Sequence, residues 1–94
     1  MTIPGAVAYS TMNDFFETFA AAIDAIFSRA IVARAVVTRP TEIWNLCQEP
    51  LNYGQTRRAS FPLDTLKDKP TKKFFHASIY RLESGRYELT TYVL

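Results

Sequence analysis

The sequence predicts an α+β fold in which a long N-terminal amphipathic helix packs on a three- or four-stranded antiparallel sheet, with one short middle helix. Two patterns support this prediction. Apolar residues recur at three- and four-residue spacing after Thr11, which is typical of a helix, and residues 73–94 alternate about Gly85 as a C-terminal β-hairpin does. The 94 residues, 48% of them hydrophobic, are expected to fold as a single domain, residues 1–94, because either half would bury too little surface to be stable alone.

The long helix is predicted to begin at Thr11, whose side chain can cap it while Asp14 completes a capping box. A helix of about 20 residues would be about 30 Å long. Its buried stripe is expected to hold Met12, Phe16, Phe19, Ile23, Ile26 and Ala30. Residues 30–37 leave two alternatives, because they are apolar on every side except at Arg34. Either the helix ends near Ala33, which we favour, or the β-branched run begins a strand.

The middle of the chain is predicted to contain one short helix and one strand. Thr41 is expected to cap a helix over residues 42–48, in which Cys47 would be a buried, inert thiol. Residues 56–61 are predicted to form a strand that stops at Pro62, because proline cannot donate a ladder hydrogen bond.

The hairpin loop is predicted to have three residues, 83–85, because only Gly85 must then enter the left-handed region. This register places Ile79 opposite Leu89. It also gathers one consistently apolar set of side chains: Phe75, Ala77, Ile79, Tyr87, Leu89 and Val93. A two-residue loop would pair Ile79 with Thr90 and mix polar with apolar side chains. Burial of the apolar set therefore selects the longer loop.

The other side of the hairpin is predicted to be amphipathic, with aromatic rings that carry polar tips. It would present Phe74, His76, Ser78, Tyr80, Glu88, Thr90 and Tyr92. Two alternatives remain open for this side. It is covered by the loop over residues 50–72 or by the short helix, or it is an exposed interaction surface.

Composition argues against an enzyme. His76 is the only histidine and Cys47 the only cysteine, and the three glycines are too far apart for a phosphate-binding loop. We therefore expect no catalytic residues, no cofactor and no metal. Residues 19–37 are interrupted by charges and fall short of a membrane span, and a lone cysteine suits a reducing compartment. A soluble cytoplasmic protein with no membrane partner is the expectation.

The expected function is that of a small regulatory protein that binds a partner protein as a stoichiometric inhibitor or adaptor. One version of this hypothesis is a phage-encoded protein directed at host machinery. The partner-binding residues would be Phe74, His76, Tyr80, Glu88 and Tyr92.

The alternative is an RNA- or single-stranded-DNA-binding module in which the rings stack on bases. Its phosphate contacts would be Arg57, Arg58, Lys72, Lys73 and Arg86. The net charge of only +2 and the carboxylate of Glu88 make nucleic acid the weaker hypothesis. A homodimer formed through residues 30–37 and a C-terminal edge strand is a third hypothesis.

Overall fold

The computed structural model describes residues 11–37, 40–48, 51–64 and 73–94. In chain order its elements are β1 (Met12–Phe16), α1 (Phe19–Val32), α2 (Pro40–Leu46), β2 (Thr56–Pro62), β3 (Phe74–Arg81) and β4 (Tyr87–Val93). The strands form one antiparallel sheet in the order β1-β4-β3-β2. The predicted α+β fold is confirmed, with an N-terminal helix, a short middle helix and a C-terminal hairpin.

The predicted start of the long helix at Thr11 is wrong, because the residues that follow it form the edge strand β1. Met12 pairs with Thr91 and Phe16 with Tyr87 in the ladder between β1 and β4. Asp14 is not a capping residue; its carboxylate forms an ion pair with Arg29 of α1. The strand β1 forms by pairing with β4, which is distant in the sequence, and the spacing of neighbouring apolar residues does not reveal such pairing.

The helix α1 begins two turns later than predicted and is correspondingly shorter. Thr18 is its N-cap, and the Thr18 hydroxyl accepts a hydrogen bond from the amide of Ala21 at 3.1 Å. The helix ends at Val32, which confirms the ending near Ala33. Beyond it, Arg34 has a φ of 63°. The chain then turns and passes along β2, where Ala35 forms a single β-bridge with Leu63.

The hairpin has the predicted three-residue loop. The amide of Leu82 donates to the carbonyl oxygen of Arg86 at 2.9 Å, and Gly85 takes a φ of 91°. Ile79 therefore lies opposite Leu89, and both are fully buried. The register that burial favoured in the sequence is the register of the structure.

The core lies between α1 and one face of the sheet. Its fully buried side chains include Ile26 of α1, Phe61 of β2 and Phe75 of β3. Thr91 is the buried polar residue on this face, and Arg29 donates a hydrogen bond to its hydroxyl at 3.4 Å. The single-sided core leaves the opposite face of the sheet without a packed layer among the described residues.

The short helix differs from its prediction in two details. It begins at Pro40, so Thr41 lies within its first turn; proline is well suited to the first helical position because its missing N–H would have no helical partner there. Leu46 is the side chain that α2 buries, while Cys47 is exposed rather than buried. The thiol therefore does not belong to the core.

The position of β4 in the sheet bears on the predicted homodimer. The strand β4 lies between β1 and β3, so the prediction of a C-terminal edge strand is wrong. Only one part of the proposed self-association surface remains, the exposed side chains of Ile31 and Val32 on α1.

None of the described helices has the length and apolar character to cross a membrane.

Candidate interaction surface

The face of the sheet opposite the core, here called the outer face, carries side chains from all four strands. Strand pairing places them in rows: the row of Ser60, His76 and Tyr92 runs across β2, β3 and β4. The outer face comprises Asn13, Phe15, Thr56, Arg58, Ser60, Pro62, Phe74, His76, Ser78, Tyr80, Glu88, Thr90 and Tyr92. All of them are at least partly exposed.

The five residues predicted to bind a partner lie together on the outer face. Phe74, His76 and Tyr80 project from β3, and Glu88 and Tyr92 project from the neighbouring β4. The turn that precedes β2 lies at the end of the sheet, where the amide of Gly54 donates to the carbonyl oxygen of Arg81. Residues 50 and 65–72 of the predicted covering loop lie outside the described residues.

The centre of the outer face is a row of polar and aromatic contacts. The Ser60 hydroxyl lies 2.7 Å from Nδ1 of His76. The ring of His76 stacks on that of Tyr92, with centroids 4.9 Å apart and planes at 24°, and Phe74 lies 6.2 Å from His76. One face of the His76 ring is therefore covered by Tyr92, and both residues remain partly exposed.

A second cluster holds Glu88 in position. The Asn13 amide nitrogen donates to Oε2 of Glu88 at 3.0 Å and to the hydroxyl of Thr90 at 2.8 Å. Glu88 also lies directly across the strands from Tyr80. Asn13 belongs to β1, and a sequence pattern that places it in a helix gives no indication that it joins this cluster.

The structure separates the two adjacent arginines that were predicted to contact phosphate. Arg57 lies on the core side, where its Nη1 donates to the carbonyl oxygens of Leu46 at 3.1 Å and Gln48 at 3.2 Å, at the C-terminal end of α2. Arg58 lies on the outer face and is exposed. Within the described residues, the Arg58 guanidinium makes no ion pair or hydrogen bond.

The remaining predicted phosphate contacts do not form a continuous track. Arg86 lies at the hairpin end of the sheet, where its Nε pairs with a carboxylate oxygen of Glu17 at 3.0 Å and its guanidinium lies 5.4 Å from the centroid of the Phe15 ring. Lys73 is exposed next to the other end of β3. Lys72 lies outside the described residues.

A small depression opens on the outer face beside the row of Ser60, His76 and Tyr92. It has a volume of about 60 Å³ and is lined by Arg58, Ala59, Ser60, His76, Ala77, Ser78 and Tyr92. No carboxylate is among these lining residues. Sequence reasoning missed Ser60, because the pattern of the chain does not specify how β2 pairs with β3. The alternation of polar and apolar residues over 58–61 is the signal from which its face could have been found.

The Ser60–His76 contact brings a hydroxyl and an imidazole within hydrogen-bonding distance, which is one part of a hydrolytic site. A serine nucleophile works with a histidine that a third group orients and with donors for the oxyanion. No acidic side chain lines the depression. Across residues 11–37, 40–48, 51–64 and 73–94, no three His, Cys, Asp or Glu side chains are grouped so as to hold a metal ion.

Comparison of the chain with protein-family models, with curated proteins and with solved structures finds no match.

Proposed function

We propose that this protein is a non-enzymatic interaction protein that binds the surface of a partner protein through the outer face of its sheet. One observation carries the proposal: the described helices support a single face of a four-stranded sheet, and the other face presents aromatic rings with polar tips. Such a protein acts by stoichiometric inhibition or as an adaptor. The lone Cys47, which is exposed, suits a reducing cytoplasm.

The composition of the outer face favours a protein partner. Tyrosine and histidine expose an apolar body and a polar tip, which suits the partly wet contacts of a protein interface. Their conformations are already constrained, because His76 is hydrogen-bonded to Ser60 and stacked on Tyr92. Less side-chain entropy is therefore lost on binding than for free side chains.

The size of the depression argues against a small-molecule site on the outer face. Its volume of about 60 Å³ is small beside the roughly 300–1,000 Å³ of pockets that enclose small-molecule ligands. A serine and a histidine on a shallow face, with no acidic group beside them, can donate hydrogen bonds to a partner but lack a site in which a substrate would be shielded from water.

A single-stranded nucleic acid is the alternative partner, and the exposed guanidinium of Arg58 beside the rings is the observation that favours it. Two observations weigh against it. The His76 and Tyr92 rings cover each other, which removes faces on which bases would stack. The carboxylate of Glu88 lies on the same face and repels phosphate.

The proposal is tested by affinity capture from a nuclease-treated lysate with three baits. The first is the wild-type protein and the second is the double variant Tyr80→Ala, Tyr92→Ala. The third is a control, Ile31→Ala, Val32→Ala, which removes two exposed apolar side chains from α1 instead. We expect the first and third baits to retain one stoichiometric partner and the second to lose it. Retention by all three baits, with all three folded, would refute the proposal.

The nucleic-acid alternative is tested with a fluorescent single-stranded oligonucleotide in a polarisation titration. Binding through phosphate contacts weakens steeply as salt rises, because bound counterions are released on association. We expect no saturable binding at moderate salt. Saturable binding that falls steeply with salt and is lost in Arg58→Gln would replace the protein-binding proposal with the alternative.

A further inference from the structure

Several residues that line the depression on the outer face carry hydrogen-bond donors, and one of them carries a positive charge. Arg58 supplies five N–H donors, Ser60, Ser78 and Tyr92 supply hydroxyl groups, and His76 supplies a ring nitrogen. Nδ1 of His76 is paired with the Ser60 hydroxyl, so a neutral imidazole leaves one donor of this pair for another group: Nε2–H in one tautomer and the Ser60 O–H in the other.

The acidic residue of the outer face does not neutralise this charge. Glu88 does not line the depression, and Oε2 of Glu88 accepts a hydrogen bond from Asn13. Among the described residues, no carboxylate pairs with the Arg58 guanidinium. An arginine at the rim of a depression without acidic lining is complementary to an anionic group, and a carboxylate matches its planar fork in two parallel hydrogen bonds.

The volume of the depression limits what enters it. About 60 Å³ is far below the roughly 300–1,000 Å³ of pockets that enclose whole ligands, so a carboxylate group suits the depression better than a nucleobase does. The occupant is therefore a small terminal group and not a whole ligand.

We infer that the depression receives the carboxylate of an aspartate or glutamate side chain of the partner protein, with Arg58 as its counter-ion and the Ser60–His76 pair donating one further hydrogen bond that fixes its position. This inference rests on the proposed function and adds the chemistry of the partner. Phe74, Tyr80 and Tyr92 then contact the apolar surroundings of that acidic residue. The partner's binding surface is thus apolar with one essential acidic residue.

The inference is tested with a displayed library of random linear peptides selected on the wild-type protein. The tightest peptide is synthesised, together with a form in which each acidic residue is replaced by its amide. Both forms are titrated by fluorescence polarisation against the wild type, Arg58→Gln, Arg34→Gln and the double variant Tyr80→Ala, Tyr92→Ala. Arg34→Gln is the matched control, because Arg34 is exposed at the end of α1 and does not belong to the outer face.

We expect the selected peptides to be enriched in Asp or Glu. Removal of the acidic residue and Arg58→Gln should each weaken binding about ten- to a hundredfold, as loss of a charged hydrogen-bonded pair does, and should add little when combined. Arg34→Gln should bind as tightly as the wild type.

Three outcomes overturn the inference. Peptides that require Tyr80 and Tyr92 but tolerate the amide replacement would overturn it and leave the proposed function standing. Equal loss of affinity in Arg34→Gln and Arg58→Gln would show attraction by overall charge instead of a defined subsite. Failure to select any peptide whose binding depends on Tyr80 and Tyr92 would count against the inference and the proposed function together.

Discussion

The neighbours Ile79 and Tyr80 test which face of β3 is the core, and therefore whether the outer face is available for binding. They are adjacent on one strand but point to opposite faces: Ile79 is fully buried, whereas Tyr80 is partly exposed. Replacing each by alanine perturbs one face at a time. The structure predicts a large loss of stability for Ile79→Ala and a small one for Tyr80→Ala.

The magnitudes follow from burial. Ile79 has no exposed surface, so Ile79→Ala loses the transfer free energy of the removed atoms and leaves a cavity, at a cost of about 2–5 kcal/mol. Tyr80→Ala loses partial burial and a cross-strand contact with Glu88, at a cost of about 1 kcal/mol. The whole chain is expected to have a free energy of unfolding of about 5–14 kcal/mol, so the first change removes a large share of it.

Urea denaturation followed by far-ultraviolet circular dichroism measures both losses, provided that the slope of the free energy against urea is unchanged. If Ile79→Ala does not fold, Ile79→Val gives the same comparison with an expected loss of about 0.5–1.5 kcal/mol. A loss for Tyr80→Ala that equals or exceeds that for Ile79→Ala would refute the assignment of faces, and with it the binding surface.

Five further substitutions test three local features by the same urea measurement. Gly85→Ala should cost about 1–2 kcal/mol, because alanine is strained at a φ of 91°; an unchanged midpoint would contradict this loop conformation. Thr18→Ala should lower the free energy of unfolding by about 1 kcal/mol and Thr11→Ala by almost nothing, because Thr18 is the N-cap of α1. The reverse order would support the longer helix that was predicted to begin at Thr11. Arg29→Met and Asp14→Asn should show coupling above about 0.5 kcal/mol in a double-mutant cycle; additive losses would argue against their ion pair.

The hairpin could be predicted because its information is local. Gly85 supplies the one backbone position that needs a left-handed conformation, and the alternation on either side of it shows which register buries the apolar set. Ile79 and Leu89 are brought together by a loop of only a few residues. The outer face followed from the same alternation, so the sequence alone was enough to assign Phe74, His76 and Tyr92 to it.

The strand β1 could not be predicted in the same way. Thr11 and Asp14 match a capping box, and the apolar residues after them continue the period of α1, so a local pattern favours one long helix. The competing arrangement depends on β4, whose Glu88 contacts Asn13 from 75 residues further along the chain. A ladder formed at that distance outweighs the local preference for a helix.

The candidate site was likewise predictable only in part from the sequence. From its own pattern, the sequence determined the hairpin, its buried side and the aromatic side that faces away, because period-two alternation and one glycine are properties of adjacent residues. Tertiary structure alone decided that Ser60 contacts His76 and that Asn13 donates a hydrogen bond to Glu88. It also decided which face of the sheet is the core side, on which Arg57 lies, and which is the outer face, on which Arg58 lies. Each of these contacts depends on which strands become neighbours in the sheet. The strand order follows from burial of one shared core and is not encoded in any short segment of the sequence.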